Sequence, residues 1–150
     1  MLAYQMQDCS ATLSAGLAEY QRAHPFLKRG NTLSAEAQDF FRCHDIVHVI
    51  YGCDTSLNQE AVVKLSTFFG TTAGFGALQG YRLFESLDIY RSLRANDILS
   101  TMIASVVILP RTVWRCAQQK QRWPWDGHGA WLDKPLAEIR NTFRIKVATA

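Results

Sequence analysis

The sequence predicts an all-α protein, folded as a single-domain helical bundle of 150 residues. Apolar residues recur at the three- and four-residue spacing of amphipathic helices along most of the chain. No segment of strand length alternates between apolar and polar residues, and no internal repeat is present. The length is typical of one domain with one hydrophobic core, so we expect residues 1–150 to form one unit.

The first two helices are predicted from apolar spacing and from cap residues. The first should run from Leu2 to His24. The second should run from Ser34 to Tyr51, with Ser34 as its N-cap and Gly52 directly after its last turn. Gly52 then stops the helix, and a short corner turns the chain back along it.

The third predicted helix begins at Ser56, where Ser56 and Gln59 have the spacing of a capping box. It leads into four glycines, each of which costs about 1 kcal/mol in a helix interior relative to Ala. These are Gly70, Gly74, Gly76 and Gly80. Their expected role is steric, and close helix packing is favoured over the alternative, a lipid groove formed by Phe68, Phe69, Gly74 and Phe75.

The C-terminal half should contain two further helices. One spans Ala95 to Gln119 and is ended or kinked at Pro110. A loop follows over 118–131, and Pro135 then occupies the first turn of a final helix that reaches about Phe143.

The net charge of +3 is small and argues against a nucleic-acid binder. Four basic residues nevertheless cluster near four tryptophans, which suits an anionic lipid surface, although a solvated helix face and ordinary core tryptophans are the simpler alternatives. The basic residues are Arg111, Arg115, Lys120 and Arg122, and the tryptophans are Trp114, Trp123, Trp125 and Trp131.

The longest strongly apolar stretch, Ile98 to Pro110, is too short to span a bilayer. The four cysteines lack a C-x-x-C spacing, and the N-terminus does not resemble a secretory signal. We therefore expect a cytoplasmic protein that binds a membrane peripherally.

A group of metal-ligand residues lies at the end of the second predicted helix. His44 and His48 are four residues apart and share one helix face, with Asp45 about 100° around from His44. Glu60 follows twelve residues after His48, where the returning third helix can bring its carboxylate over the imidazoles. This set favours zinc, with iron, cobalt, manganese or magnesium as alternatives.

A structural alternative exists, because the histidines lie on an apolar stripe with Phe40, Val47 and Tyr51. Two hydrogen-bonded core histidines would produce the same pattern. Burying two carboxylates beside them without a cation would, however, cost several kcal/mol, which favours the metal.

At these residues the chain resembles the Coq-four family of ubiquinone (coenzyme Q) biosynthesis proteins. The family signature, H-D-x-x-H followed by eleven residues and a Glu, appears as His44, Asp45, His48 and Glu60. The segment from Pro135 to Arg140 is similar to the family's closing Pro-Leu-x-Glu-x-Arg pattern. The resemblance covers most of the chain from about Phe26 onward.

The resemblance implies a helical, metal-binding protein peripheral to the membrane that makes ubiquinone, on the cytoplasmic side of an inner membrane. Such a protein replaces the carboxylate of a prenylated hydroxybenzoate ring with a hydroxyl group by oxidative decarboxylation. It also organises the other biosynthetic enzymes. The expected partners are a prenylated quinone precursor or another isoprenoid lipid, the membrane surface and those enzymes, and a homo-oligomer is compatible with the sequence.

Two other functions fit parts of the pattern. The first is a non-catalytic prenyl-lipid-binding scaffold, in which the metal only joins the second and third helices. The second is a metal-dependent phosphohydrolase, suggested by the His-Asp pair and the basic cluster, although no second histidine and aspartate complete such a site. Spacing alone assigns no catalytic acid or base.

Overall fold

The computed structural model describes residues 1–25, 34–84 and 95–148, and it describes their side chains except those of residues 82–84 and 95–105. Within these ranges the chain forms six α-helices and three short 3-10 turns, and it contains no β-strand. The helices are α1 (Leu13–Ala23), α2 (Ala35–Tyr51), α3 (Leu57–Gly70), α4 (Ala77–Phe84), α5 (Ala95–Ala117) and α6 (Leu136–Phe143). The all-α prediction is confirmed.

The predicted start of the first helix is wrong. A 3-10 turn occupies Ala3–Gln5, and α1 begins only at Leu13, because Thr12 is extended and its side chain accepts a hydrogen bond from Ala15 N. The segment before Thr12 is tied to the start of α6, where Leu136 N and Ala137 N donate to backbone carbonyls of residues 11 and 9, at 2.9 Å each. Contacts distant in sequence therefore override the helical spacing of the N-terminus.

The bounds of α2 match the sequence prediction. Ser34 Oγ accepts a hydrogen bond from Ala37 N at 3.2 Å and caps the first turn. Gly52 follows the last turn with φ +69°, in the left-handed region that favours glycine. Cys53 N then donates to the His48 carbonyl at 2.8 Å, which closes the end of the helix.

The corner between α2 and α3 is built differently from the predicted capping box. Ser56 does occupy the N-cap position of α3, but its side chain makes no capping hydrogen bond. Asp54 Oδ1 instead accepts from Ser56 N at 2.9 Å. The first turn of α3 thus begins beside the last two turns of α2, and α3 then packs extensively along α5.

The glycines at the end of α3 and beyond it have more than one role. A Cβ atom at Gly70 would lie 2.2 Å from Tyr51 Oη, and one at Gly80 would lie 2.2 Å from the Phe40 ring. The prediction of close packing is confirmed at these two positions. Gly74 instead has φ +52°, and a Cβ atom at Gly76 would meet open space.

The C-terminal half follows the predicted outline. α5 continues through Pro110, which does not end it, and stops two residues before the predicted end. α6 begins directly after Pro135, which is its N-cap residue, and ends at Phe143 as predicted. None of the described helices is both long enough and apolar enough to cross a membrane.

The alternative that the tryptophans are ordinary core residues is confirmed for three of the four. Trp123 and Trp125 are buried, and the half-buried Trp131 packs on Phe143 with 5.0 Å between the ring centroids. The rings fill the core under the loop before α6. Trp114 on α5 is 63% exposed and alone among the four faces solvent.

Candidate metal centre

Two buried histidines and one carboxylate meet where α2 and α3 pack together. His44 and His48 lie one helical turn apart on α2, and their Nε2 atoms are 3.1 Å from each other. Glu60, in the first turn of α3, brings Oε1 to 3.2 Å from His48 Nε2 and Oε2 to 3.6 Å from His44 Nε2. The short corner after Gly52 makes this approach possible. The structure therefore brings together three of the four predicted ligands.

The spacing of the two Nε2 atoms and the two Glu60 carboxylate oxygens fits one metal ion. Zinc binds imidazole nitrogen and carboxylate oxygen at about 2.0–2.1 Å, so two ligands of a tetrahedral ion lie about 3.3 Å apart. The observed separations of 3.1, 3.2 and 3.6 Å bracket that value. Two imidazoles and a carboxylate are also a ligand set that zinc uses in catalytic sites, where a fourth position stays open.

Asp45 does not join this group. It is buried, and its Oδ2 accepts a hydrogen bond from Gln21 Nε2 of α1 at 3.1 Å. The residue after His44 lies about 100° around the helix, which turns Asp45 toward α1. The predicted four-ligand set is thus reduced to three, and the Glu60 side chain, at 26% exposure, forms the accessible edge.

The electrostatics of Glu60 favour a positive partner. Burial by itself would raise the pKa of this carboxyl group, but its contacts with the His44 and His48 imidazoles outweigh burial and hold the pKa well below its usual range. Glu60 is therefore ionised at any physiological pH. A divalent ion bound by the three side chains would be partly neutralised by this carboxylate.

The two imidazoles are held in different ways. The His48 ring stacks on Tyr20 with 5.0 Å between the centroids, and among the described residues its Nδ1 has no hydrogen-bond partner. His44 Nδ1 instead lies 3.0 Å from Tyr81 Oη of α4. Sequence reasoning missed Tyr81, because no local pattern shows that α4 packs against this part of α2.

A second group of potential ligands lies nearer the N-terminal end of α2. Asp39 and Asp126 are exposed, and Cys43 between them is buried. Burial, followed by the charge of these two carboxylates, raises the pKa of the Cys43 thiol to about 12. The thiol is thus protonated at neutral pH, and a thiol must lose its proton to bind a metal. The histidine group is the better candidate.

The predicted lipid residues form an aromatic cluster next to the metal group. The Phe68 and Phe75 rings stack at 5.5 Å, and Phe69 meets Phe75 edge-on at 5.7 Å. Phe75 is 63% exposed, whereas Phe68 contacts Tyr81 at 5.9 Å. The cluster therefore extends from the exposed Phe75 to Tyr81, whose hydroxyl contacts His44 Nδ1.

No protein-family model, curated protein or solved structure matches this chain.

We expect Glu60→Gln to lose about tenfold or more in zinc affinity, by analogy with disturbed metal shells. Glutamine keeps the size of the side chain but removes the charge that balances a divalent ion. Isothermal titration of the metal-free protein with zinc measures the change. Glu138→Gln is the matched control, because Glu138 is an exposed carboxylate that pairs with Lys134. Equal zinc affinity in Glu60→Gln and in the wild type would contradict the assignment of Glu60.

Proposed function

We propose that this protein is a metal-dependent enzyme of ubiquinone biosynthesis that acts on a prenylated hydroxybenzoate ring at a membrane surface. The observation that carries the proposal is the three-ligand group of His44, His48 and Glu60 with an accessible edge. Structural zinc sites are closed by four protein ligands, whereas catalytic sites keep a position for water or substrate. Three ligands therefore favour catalysis over a metal that only joins α2 and α3.

The assignment to the Coq-four family is part of this proposal. Three positions of the family signature meet in space, and Arg140 of the closing segment is buried in the core. Residues from one part of the resemblance therefore lie at the metal group, and a residue from the other part lies in the core. An organising role toward other biosynthetic enzymes is proposed on the same basis.

The proposed reaction exchanges the ring carboxyl group for a hydroxyl group. With dioxygen as oxidant, the aromatic acid, two electrons and two protons give the phenol, carbon dioxide and water, so a two-electron donor is also required. A metal ion bound here would act as a Lewis acid toward the substrate carboxylate and phenolate oxygens. Glu60 lies at the edge where the ring would enter, and the buried histidines fix the opposite side.

The prenyl tail requires an apolar path, and the aromatic cluster of Phe68, Phe69 and Phe75 supplies one beside the metal group. A second apolar surface lies on α5. Seven of its residues fall within about 160° of the helix circumference at 100° per residue, and six of them are exposed. This α5 face consists of Val106, Val107, Leu109, Pro110, Val113, Trp114 and Ala117. The α5 face is proposed to contact a membrane, because the exposed Arg111 flanks this face.

We expect the protein to float with anionic vesicles and to be released as salt increases. Val107→Glu should lower the vesicle partition coefficient about tenfold, since it removes apolar contact and adds a charge worth about 1 kcal/mol at an anionic surface. Ala18→Glu, which adds the same charge at an exposed position of α1, should bind as the wild type does. The absence of flotation at low salt would contradict peripheral binding.

Turnover tests the enzymatic proposal directly. The purified protein, loaded in turn with zinc, iron, cobalt and manganese, is incubated with a prenylated hydroxybenzoate, dioxygen and a chemical reductant. Release of carbon dioxide with formation of the hydroxylated ring is the expected result. Bound prenyl lipid in native mass spectrometry without turnover under any metal would instead favour the non-catalytic scaffold.

A further inference from the structure

A chain of buried polar groups runs from α3 through α4 to the metal group. Thr67 Oγ1 donates a hydrogen bond to the Val63 carbonyl oxygen at 2.9 Å. Tyr81 Oη lies 3.3 Å from Thr67 Oγ1 and 3.0 Å from His44 Nδ1. Thr67, Tyr81 and His44 are all buried, so solvent does not substitute for any of these contacts.

The direction of every hydrogen bond in this chain follows from its first member. A backbone carbonyl only accepts, so the Thr67 hydroxyl proton points to Val63. Thr67 Oγ1 is then the acceptor for the Tyr81 hydroxyl proton. With its proton directed to Thr67, Tyr81 Oη meets His44 Nδ1 as an acceptor. The Nδ1 atom of His44 therefore carries the imidazole proton.

From this geometry we infer that Tyr81, oriented by Thr67, is a positioning residue that fixes the tautomer of His44 for metal binding. A neutral imidazole has one ring proton, so a proton on Nδ1 leaves a lone pair on Nε2. Nε2 is the atom that faces His48 and Glu60. Histidines that bind metals generally donate their other ring N–H to a neighbouring acceptor, and here that acceptor is a tyrosine hydroxyl.

The contrast with His48 shows why this hydrogen bond matters. His48 is oriented by stacking on Tyr20, and its Nδ1 has no hydrogen-bond partner in the described part of the chain. Packing holds a ring in place but does not select a tautomer. The Tyr81 contact thus selects a tautomer at His44, whereas no contact of Nδ1 among the described residues selects one at His48.

The inference rests on the proposed metal centre but not on the proposed substrate, and zinc alone is the probe. Long-range proton–nitrogen NMR of metal-free protein labelled with nitrogen-15 at histidine shows which ring nitrogen carries the proton. We expect His44 in the wild type to carry it on Nδ1. Tyr81→Phe keeps the ring that packs on Phe40 and Phe68 but removes the acceptor. His44 should then populate both tautomers, and zinc affinity should fall about tenfold.

Variants of Thr67 test the hydrogen-bond series one residue further from the metal group. They also test the inference if Tyr81→Phe does not fold. Thr67→Val leaves the Tyr81 hydroxyl proton without its acceptor, so the hydroxyl can donate to His44 Nδ1 and favour the proton on Nε2. Thr67→Ser restores the acceptor and should restore the wild-type spectrum. Thr71→Val is the matched control. The Thr71 hydroxyl donates to the Thr67 carbonyl at 2.7 Å and makes none of the hydrogen bonds that lead to His44. This variant should lower the melting temperature without moving the His44 signals.

The possible outcomes separate the inference from the metal centre itself. A wild-type His44 with its proton on Nε2, or an unchanged tautomer in both Tyr81→Phe and Thr67→Val, overturns the positioning role even when the wild type binds zinc. A wild-type protein that binds no zinc overturns the metal centre and the positioning role together. A tautomer shift in Thr67→Val that Thr67→Ser reverses supports the inference.

Discussion

Arg140→Met is expected to lower the free energy of unfolding by about 3–5 kcal/mol, the range seen when one member of a buried polar cluster is removed. Arg140 is 1% exposed. Its Nε donates to the Ile50 carbonyl at 2.9 Å and its Nη2 to the Val49 carbonyl at 2.8 Å. The guanidinium also donates to the carbonyls of Tyr4 and Met6. One side chain thus joins α6, the end of α2 and the N-terminal segment.

The position of this cation explains the size of the effect. The last carbonyls of a helix lack intrahelical partners and carry partial negative charge, and Arg140 supplies both hydrogen bonds and positive charge at the end of α2. Burial lowers the pKa of Arg140 to about 10, so the group stays charged at neutral pH. Methionine fills a similar volume but removes these donors from the Ile50 and Val49 carbonyls, of which Val49 keeps its hydrogen bond from Gly52 N at 3.2 Å.

Urea denaturation measures this prediction, with the transition midpoint and slope compared across three variants. Arg140→Lys keeps the charge but not the planar set of five donors, so it should recover only part of the lost stability. Arg122→Met removes an exposed arginine and should change the free energy of unfolding by less than about 0.5 kcal/mol. An Arg140→Met protein as stable as Arg122→Met would refute the role assigned to Arg140.

Local signals predicted the parts of the fold that depend on residues near in sequence. Ser34 and Gly52 mark the bounds of α2, and Pro135 marks the start of α6, because capping and left-handed backbone are properties of single residues. The N-terminal segment was predicted wrongly for the opposite reason. Its backbone carbonyls accept hydrogen bonds from α6 backbone N–H groups and from Arg140, more than 120 residues away.

For the candidate site, too, signals from residues near in sequence predicted one part, and contacts between distant residues determined the rest. The i, i+4 spacing predicted that His44 and His48 share a face, and the short corner predicted the approach of Glu60. Proximity in sequence also suggested Asp45, yet its position around the helix directs it to Gln21. Tyr81 and Thr67 were not predicted, since their contact with the site depends on how α4 packs.

His48→Ala is expected to abolish zinc binding, because His48 Nε2 lies 3.1 Å from one partner ligand and 3.2 Å from the other. The variant will also lose stability for a reason unrelated to metal, since it removes a fully buried ring that stacks on Tyr20. A lower melting temperature alone therefore does not identify a ligand. The informative quantity is the stabilisation that zinc adds to each protein.

A metal that binds only the folded state adds about 2.7 kcal/mol to the free energy of unfolding when its free concentration is one hundred times the dissociation constant. We expect an increment of this order between chelator and zinc in the wild type, and none in His48→Ala. His128→Ala is the matched control, because it removes another buried histidine, one that contacts Cys43 and the Trp125 carbonyl outside the metal group. It should lose stability yet keep the full zinc increment. If His48→Ala kept that increment as well, zinc would be bound at another site. His44 and His48 would then be core histidines that hydrogen-bond to each other.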